Sequence, residues 1–163
     1  MKKILVLALF AGILALGAEI AVKDAVRKNN LIYRKGAAQP FTGTVTEKYP
    51  GGKPKASAAY TKGKPDGLSR SWSPEGKLQS EIRFKNGVRE GVTKVYHKNG
   101  ALKKEATYRN GRQEGKEKIY YRNGKLQMEC DYKNGKKDGS ETVYDDVGEV
   151  FSRKNYKAGA PIY

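Results

Sequence analysis

The chain has 163 residues, with 33 Lys and Arg against 17 Asp and Glu, and a single Cys and a single His. One cysteine excludes a disulfide scaffold. One histidine without a second histidine or a cysteine cluster offers no metal site of ordinary spacing, and no Ser/His/Asp set is assignable because no recognisable nucleophile turn accompanies it. A hydrophobic content of 37% is low for a thick globular core, and a formal net charge of +16 points to anionic partners.

Met1-Lys2-Lys3 precedes an apolar run over residues 4–18, with small residues at Ala15, Gly17 and Ala18. This pattern reads as a secretory signal peptide over residues 1–18, cleaved near Gly17 or Ala18. The run is shorter than the roughly 20 residues needed to span a bilayer, and no cysteine follows it to carry a lipid. The mature chain is therefore expected in the periplasm or at the surface of a bacterium, with a net charge of about +14 once Lys2 and Lys3 are removed. Residues 19–39 form a leader or cap. In it Ala21, Val22, Ala25 and Val26 suit one side of a short helix, or the segment is loose. Leu31-Ile32-Tyr33 reads as an edge strand leading to Pro40-Phe41-Thr42-Gly43.

From residue 40 to residue 159 the chain repeats every 24 residues, in copies 40–63, 64–87, 88–111, 112–135 and 136–159. Gly43, Gly67, Gly91, Gly115 and Gly139 form one column. Gly52, Gly76, Gly100, Gly124 and Gly148 form a second, and Gly63, Gly87, Gly111, Gly135 and Gly159 a third. Tyr60, Phe84, Tyr108, Tyr132 and Tyr156 form an aromatic column. Trp72, Tyr96, Tyr120 and Tyr144 form another, which Lys48 breaks in the first copy. A fixed period of this length marks a repeat architecture. The first copy is the least regular, with Pro50 and Pro54, as befits a cap. Residues 160–163 are a short tail in which Pro161 argues against a further paired strand.

Asn-Gly between alternating apolar residues signals a hairpin, because both residues accept positive φ at low cost. Each copy carries two such turns, so it should be two strands. Chained copies then give an all-β, elongated, single-layer antiparallel meander. If every turn is a three-residue loop such as Lys98-Asn99-Gly100, Tyr96 lies opposite Leu102. The even-numbered residues then share one face, carrying both aromatic columns. A one-residue slip would move the rings to the other side.

The copy over residues 88–111 shows the unit most clearly: Gly91, Tyr96, Asn99-Gly100, Leu102, Glu105, Tyr108 and Asn110-Gly111. In that order these residues resemble the MORN family. They are more closely similar to its bacterial repeat variant, whose units run G-x-x-x-x-Y, N-G-x-L-x-x-E and Y-x-N-G. The likeness covers residues 31–159. It departs at Lys48, Val150 and Arg153, all in the end copies. It implies membrane-surface or phospholipid contact, or protein–protein scaffolding. Members of the variant are often labelled antitoxins of toxin–antitoxin pairs, and some carry a phosphoinositide-kinase label. No nucleotide-binding glycine loop with its lysine occurs here.

Two surfaces follow as candidates. A partner-binding aromatic face would comprise Trp72, Phe84, Tyr96, Tyr108, Tyr120, Tyr132, Tyr144 and Tyr156. An anion-binding basic edge would comprise Lys85, Arg89, Arg109, Arg112, Lys133, Lys136, Lys137 and Lys157. The column Glu81, Glu105 and Glu129 has neighbours roughly 10 Å apart on a flat sheet, which suits cross-strand ion pairs rather than paired-carboxylate catalysis. Asp66, Glu90, Glu114 and Asp138, each just before a glycine, suit turn stabilisation or edge protection. His97 is expected in solvent, and Cys130 is expected to act as a small apolar residue. The functional expectation is an exported, non-catalytic module without cofactor or metal. It would bind a protein partner or a second copy through its rings, or else anionic phospholipid or envelope polymer through its basic edge. Nucleic acid is disfavoured as a physiological ligand of an exported chain, although charge alone favours non-specific binding.

Overall fold

The structure is a computed structural model and describes residues 18–163. The signal-peptide reading, Ala18 apart, lies outside the described residues. Strands β1 (Ala18–Ala21), β2 (Ala25–Lys28) and β3 (Leu31–Arg34) precede the array. The array runs β4 (Gly43–Lys48), β5 (Pro54–Thr61), β6 (Lys64–Trp72), β7 (Leu78–Lys85), β8 (Val88–Tyr96), β9 (Leu102–Arg109), β10 (Arg112–Tyr120), β11 (Leu126–Lys133), β12 (Lys136–Tyr144) and β13 (Val150–Lys157). It ends in β14 (Ala160–Ile162). One 12-stranded sheet has the order β1-β4-β5-β6-β7-β8-β9-β10-β11-β12-β13-β14. From β4 onward every strand pairs with its successor in sequence, so the molecule is the expected meander.

Where a helix was one of two expectations, residues 18–28 form strand, a single 3-10 turn over Val22–Asp24, and strand. One turn buries no side chain, whereas β1 gains a parallel partner in β4 and sets Ile20 opposite Val45. Ile20 and Phe41 are both buried there. Gly43 is required at this junction: a Cβ on it would stand 2.0 Å from the Ala18 carbonyl oxygen. The hairpin β2–β3 forms its own two-stranded sheet. It is tied to the first copy by Ile32 N–H donating to the Gly63 carbonyl and Phe41 N–H to the Ile32 carbonyl.

The tail also differs from expectation. Ala160–Ile162 pairs with β13, and Pro161 stands opposite Tyr156 as Pro65 stands opposite Tyr60. In a hairpin with a two-residue turn, the second pair from the turn exchanges no backbone hydrogen bond. A missing N–H there therefore costs nothing, and proline is admitted.

The two turns of a copy are of different kinds. The loop Lys98-Asn99-Gly100 has the expected three residues, closed by His97 N–H to the Ala101 carbonyl at 2.8 Å and Gly100 N–H to the His97 carbonyl at 2.9 Å. Tyr96 does stand opposite Leu102. The second turn has only two residues, since Arg109 pairs with Arg112. Asn110 and Gly111 both have positive φ, 50° and 78°, as a type I′ turn requires. A one-residue bulge then follows each long loop: Val95 pairs with Lys104, but Tyr96 with Leu102. That extra residue reverses the parity of every later pair, so the even-numbered residues do not share a face.

The core is accordingly a line. Directly opposed residues run from Val45 through Ala58, Ser69, Ile82, Thr93, Ala106, Glu117, Cys130 and Glu141 to Lys154 across the first face. Ala106 and Cys130 are fully buried, and Thr93, Glu117 and Glu141 nearly so. The second face carries a row whose charges alternate: Arg70, Glu81, Lys94, Glu105, Lys118, Glu129, then Thr142 and Arg153.

Candidate functional site: a basic edge beside two separate aromatic columns

The bulge decides where the rings go. Tyr108 lies two residues from Ala106 and so shares the first face with Phe84, Tyr132 and Tyr156. Tyr96 lies three residues from Thr93 and falls on the second face, with Trp72, Tyr120 and Tyr144 as its equivalents. The eight rings read as one surface from sequence therefore form two columns on opposite faces, and all eight are half-buried.

Both columns are also engaged within the chain. On the second face the Tyr96 hydroxyl donates to Glu81 at 3.0 Å and the Tyr144 hydroxyl to Glu129 at 3.2 Å. Arg70 donates to Glu81 at 2.8 Å, and that bond chiefly holds the Glu81 carboxyl below its usual range. Lys94 stands 3.6 Å from Glu105. This glutamate column thus serves cross-strand pairing, as its spacing implied. On the first face the Tyr156 hydroxyl donates to Glu141 at 3.2 Å. Arg89 lies 5.2 Å from the Tyr108 ring centre, and Lys137 4.8 Å from that of Tyr156.

Glu117 and Glu141 sit in the buried line of the first face, a position that Ser69 and Thr93 fill in earlier copies. Each has its own cation: Lys104 for Glu117 and Lys137 for Glu141. Gln113 also donates to Glu117 at 2.8 Å. A buried carboxylate survives only with such partners. Between them Cys130 lies in full burial, and loss of water pushes its thiol from the ordinary 9.0 to about 11. Such a thiol stays protonated and inert near neutrality.

The second acidic column stabilises turns. Glu90 accepts the Asn110 N–H at 2.7 Å, Glu114 the Asn134 N–H at 2.9 Å, and Asp138 the Ala158 N–H at 3.4 Å. Three of the type I′ turns are thereby anchored to the first strand of their own copy, while among the described residues Asp66 makes no such bond to Asn86. The neighbouring glycine completes the anchor: Gly111 N–H donates to Arg89 and Gly135 N–H to Gln113, both at carbonyl oxygens.

Around these turns stand the basic residues. Lys85, Arg109, Lys133 and Lys157 close one side of successive turns, and Arg112 and Lys136 stand directly across from Arg109 and Lys133. All six are exposed. Gly135 N–H donates to the Gln113 carbonyl and Gly159 N–H to the Lys137 carbonyl, and a Cβ on either glycine would come within 3.9 Å of Arg112 Cβ or 3.7 Å of Lys136 Cβ, so consecutive turns stack and the cations form one row. Like charges directly opposed across strands are destabilising. Among the described residues no carboxylate lies within ion-pair distance of Arg109, Arg112, Lys133 or Lys136. Of the remaining members of the predicted edge, Lys85 is likewise exposed and without an ion-pair partner among the described residues, and three are occupied otherwise. Arg89 covers a ring, Lys137 turns onto the first face, and Lys157 meets Asp138 at 3.5 Å.

Sequence reasoning missed the long-loop edge. His97, expected in solvent, is half-buried, and its Nε2–H donates to the Tyr120 carbonyl at 2.8 Å. The same reach, 23 residues forward, is made by the Tyr49 hydroxyl to Trp72 and the Tyr121 hydroxyl to Tyr144, both at 2.8 Å. The signal was present as a 24-residue column, Tyr49, Ser73, His97, Tyr121 and Asp145, but its chemistry changes from copy to copy. Among the described residues no group of three His, Cys, Asp or Glu side chains is placed to hold a metal ion.

A comparison with curated proteins finds no match. A comparison with protein families finds three consecutive matches to the MORN repeat variant, at residues 65–86, 89–110 and 113–134. Each match begins beside the first glycine of a copy and ends in its type I′ turn. The strands from β6 to β11 are thus similar to three tandem repeats of the MORN repeat variant, a kind of repeat that generally serves contact with proteins or membranes.

Proposed function

We propose that this chain is a non-catalytic adhesion module that binds an anionic phospholipid surface through the edge carrying Arg109, Arg112, Lys133 and Lys136. The observation that carries the reading is the crowding of these four exposed, unpaired cations on four successive strands. Their mutual repulsion costs stability in the free protein and is relieved when phosphates lie between them. Exposed aromatics are not needed for this mode, and the split of the rings between two faces does not weaken it. Each well-placed cation near an anionic leaflet contributes about 1 kcal/mol. In the same proposal the N-terminal run is a cleaved signal peptide, and the mature protein works in a bacterial envelope.

The test is vesicle flotation with phosphatidylcholine alone and with added phosphatidylglycerol. Binding is expected only with the anionic lipid and should fall as salt rises. Reversal of Arg109, Arg112, Lys133 and Lys136 to glutamate should weaken it by about a thousandfold or more. Equal binding by the reversed variant would end the proposal.

A second reading, capture of a protein partner, with antitoxin-like neutralisation as one form of it, is favoured by a separate observation at the long-loop edge.

A further inference from the structure

Three of the first four copies fill the space beside their long loop with a ring of their own. Tyr49, His97 and Tyr121 each cross to the next copy and donate to the carbonyl 23 residues ahead. In the second copy this position is Ser73. Its side chain is too short for the crossing, and its hydroxyl instead accepts the Lys77 N–H at 3.4 Å. The carbonyl that a longer side chain would reach belongs to Tyr96, and among the described residues no side chain donates to it. Where the ring is missing the sheet has a notch of about 610 Å³, lined by Ser73, Leu78, Val95 and Tyr96, with Glu75 and Lys98 also bordering it.

We propose that this notch receives a tyrosine side chain from a partner protein. The template is the molecule's own. Tyr121 shows how a phenol fits between two consecutive long loops, with its hydroxyl on the backbone oxygen of the next strand end. A phenol entering beside Ser73 would restore the missing member of the column. It would bury its ring against Leu78 and Val95 and donate to the Tyr96 carbonyl. Aromatic residues anchored in a concave apolar site with one satisfied polar atom are the usual energetic centres of protein interfaces. A phenylalanine would leave that carbonyl without its donor, so the site selects for the hydroxyl. This inference rests on the protein-partner reading. It is independent of the basic row, and the four charge reversals leave it untouched.

The probe is N-acetyl-tyrosinamide, followed by NMR on the whole folded protein, with N-acetyl-phenylalaninamide as control. Tyrosinamide should shift the Val95 and Leu78 methyl and Tyr96 amide signals, and phenylalaninamide should bind about fivefold more weakly. Ser73→Tyr should abolish these shifts by filling the notch from within, and should raise the melting temperature. Ser73→His, which copies the ring that His97 places in the next copy, serves if the tyrosine variant fails to fold. Absence of shifts in the native protein, equal binding of the two amides, or full binding by the filled variant would each overturn the assignment. Loss of vesicle binding with the notch intact would count against the basic row alone.

Discussion

Cys130 illustrates how position overrides residue type. Its column also holds Ala58 and Ala106, and the site it fills is closed on all sides by neighbours in the buried line. The folded state binds the thiol proton more tightly than the unfolded chain does, since its value rises from 9.0 to about 11. The associated stability is complete below the unfolded value and is lost as pH rises through about 11. Wild type minus Cys130→Ala should show a fall of about 2 kcal/mol across that window, measured by urea unfolding at a series of pH values. The alanine variant itself should fold, because Ala106 already stands at the equivalent place. A flat difference between the two proteins across the window would show that the thiol is open to water.

At the scale of the element, the type I′ turn is the part most sensitive to residue choice. Its first residue has φ near 50° in Lys62, Asn86, Asn110, Asn134 and Ala158. Asparagine tolerates this region better than alanine does, so Ala158 carries strain that Asn86, Asn110 and Asn134 avoid. Ala158→Asn should therefore stabilise the last copy by about 1 kcal/mol, seen as a higher urea midpoint. An unchanged or lower midpoint would mean that the turn is frayed in solution. The bulge after the long loop is the second decisive element. One inserted residue sends Tyr96 and Tyr108 to opposite faces, and neither propensity nor the 24-residue period announces it.

Across the whole molecule, stability in a one-layer array is nearly a sum of copies and their contacts with neighbours. The central strands bury more than the last ones: Cys130 and Ala106 are fully buried, whereas Phe151 is 79% exposed and Ile162 54%. Hydrogen exchange followed by mass spectrometry should find β8 to β11 best protected and β13 with β14 fastest, in steps rather than as one block. Uniform protection from β4 to β14 would mean that the array unfolds as a single unit. Extra copies would lengthen both faces and the basic row together, which is how such a protein could increase its reach without a new core.

The period, the strand count within each copy and the turn columns were legible in the sequence, because a hairpin is a local object and Asn-Gly has a local reason to turn. The three-residue loop at Lys98-Asn99-Gly100 and the pairing of Tyr96 with Leu102 were legible for the same cause. Which face each ring takes was decided only in the folded sheet, because facing depends on the summed register of bulges and turns, and a one-residue error inverts it. The Lys104–Glu117 pair, the His97 bridge and the gap beside Ser73 likewise exist only between copies, whereas Glu141 takes its cation, Lys137, from its own strand. Contacts that span 23 residues come from stacking one hairpin on the next, and no single repeat contains them.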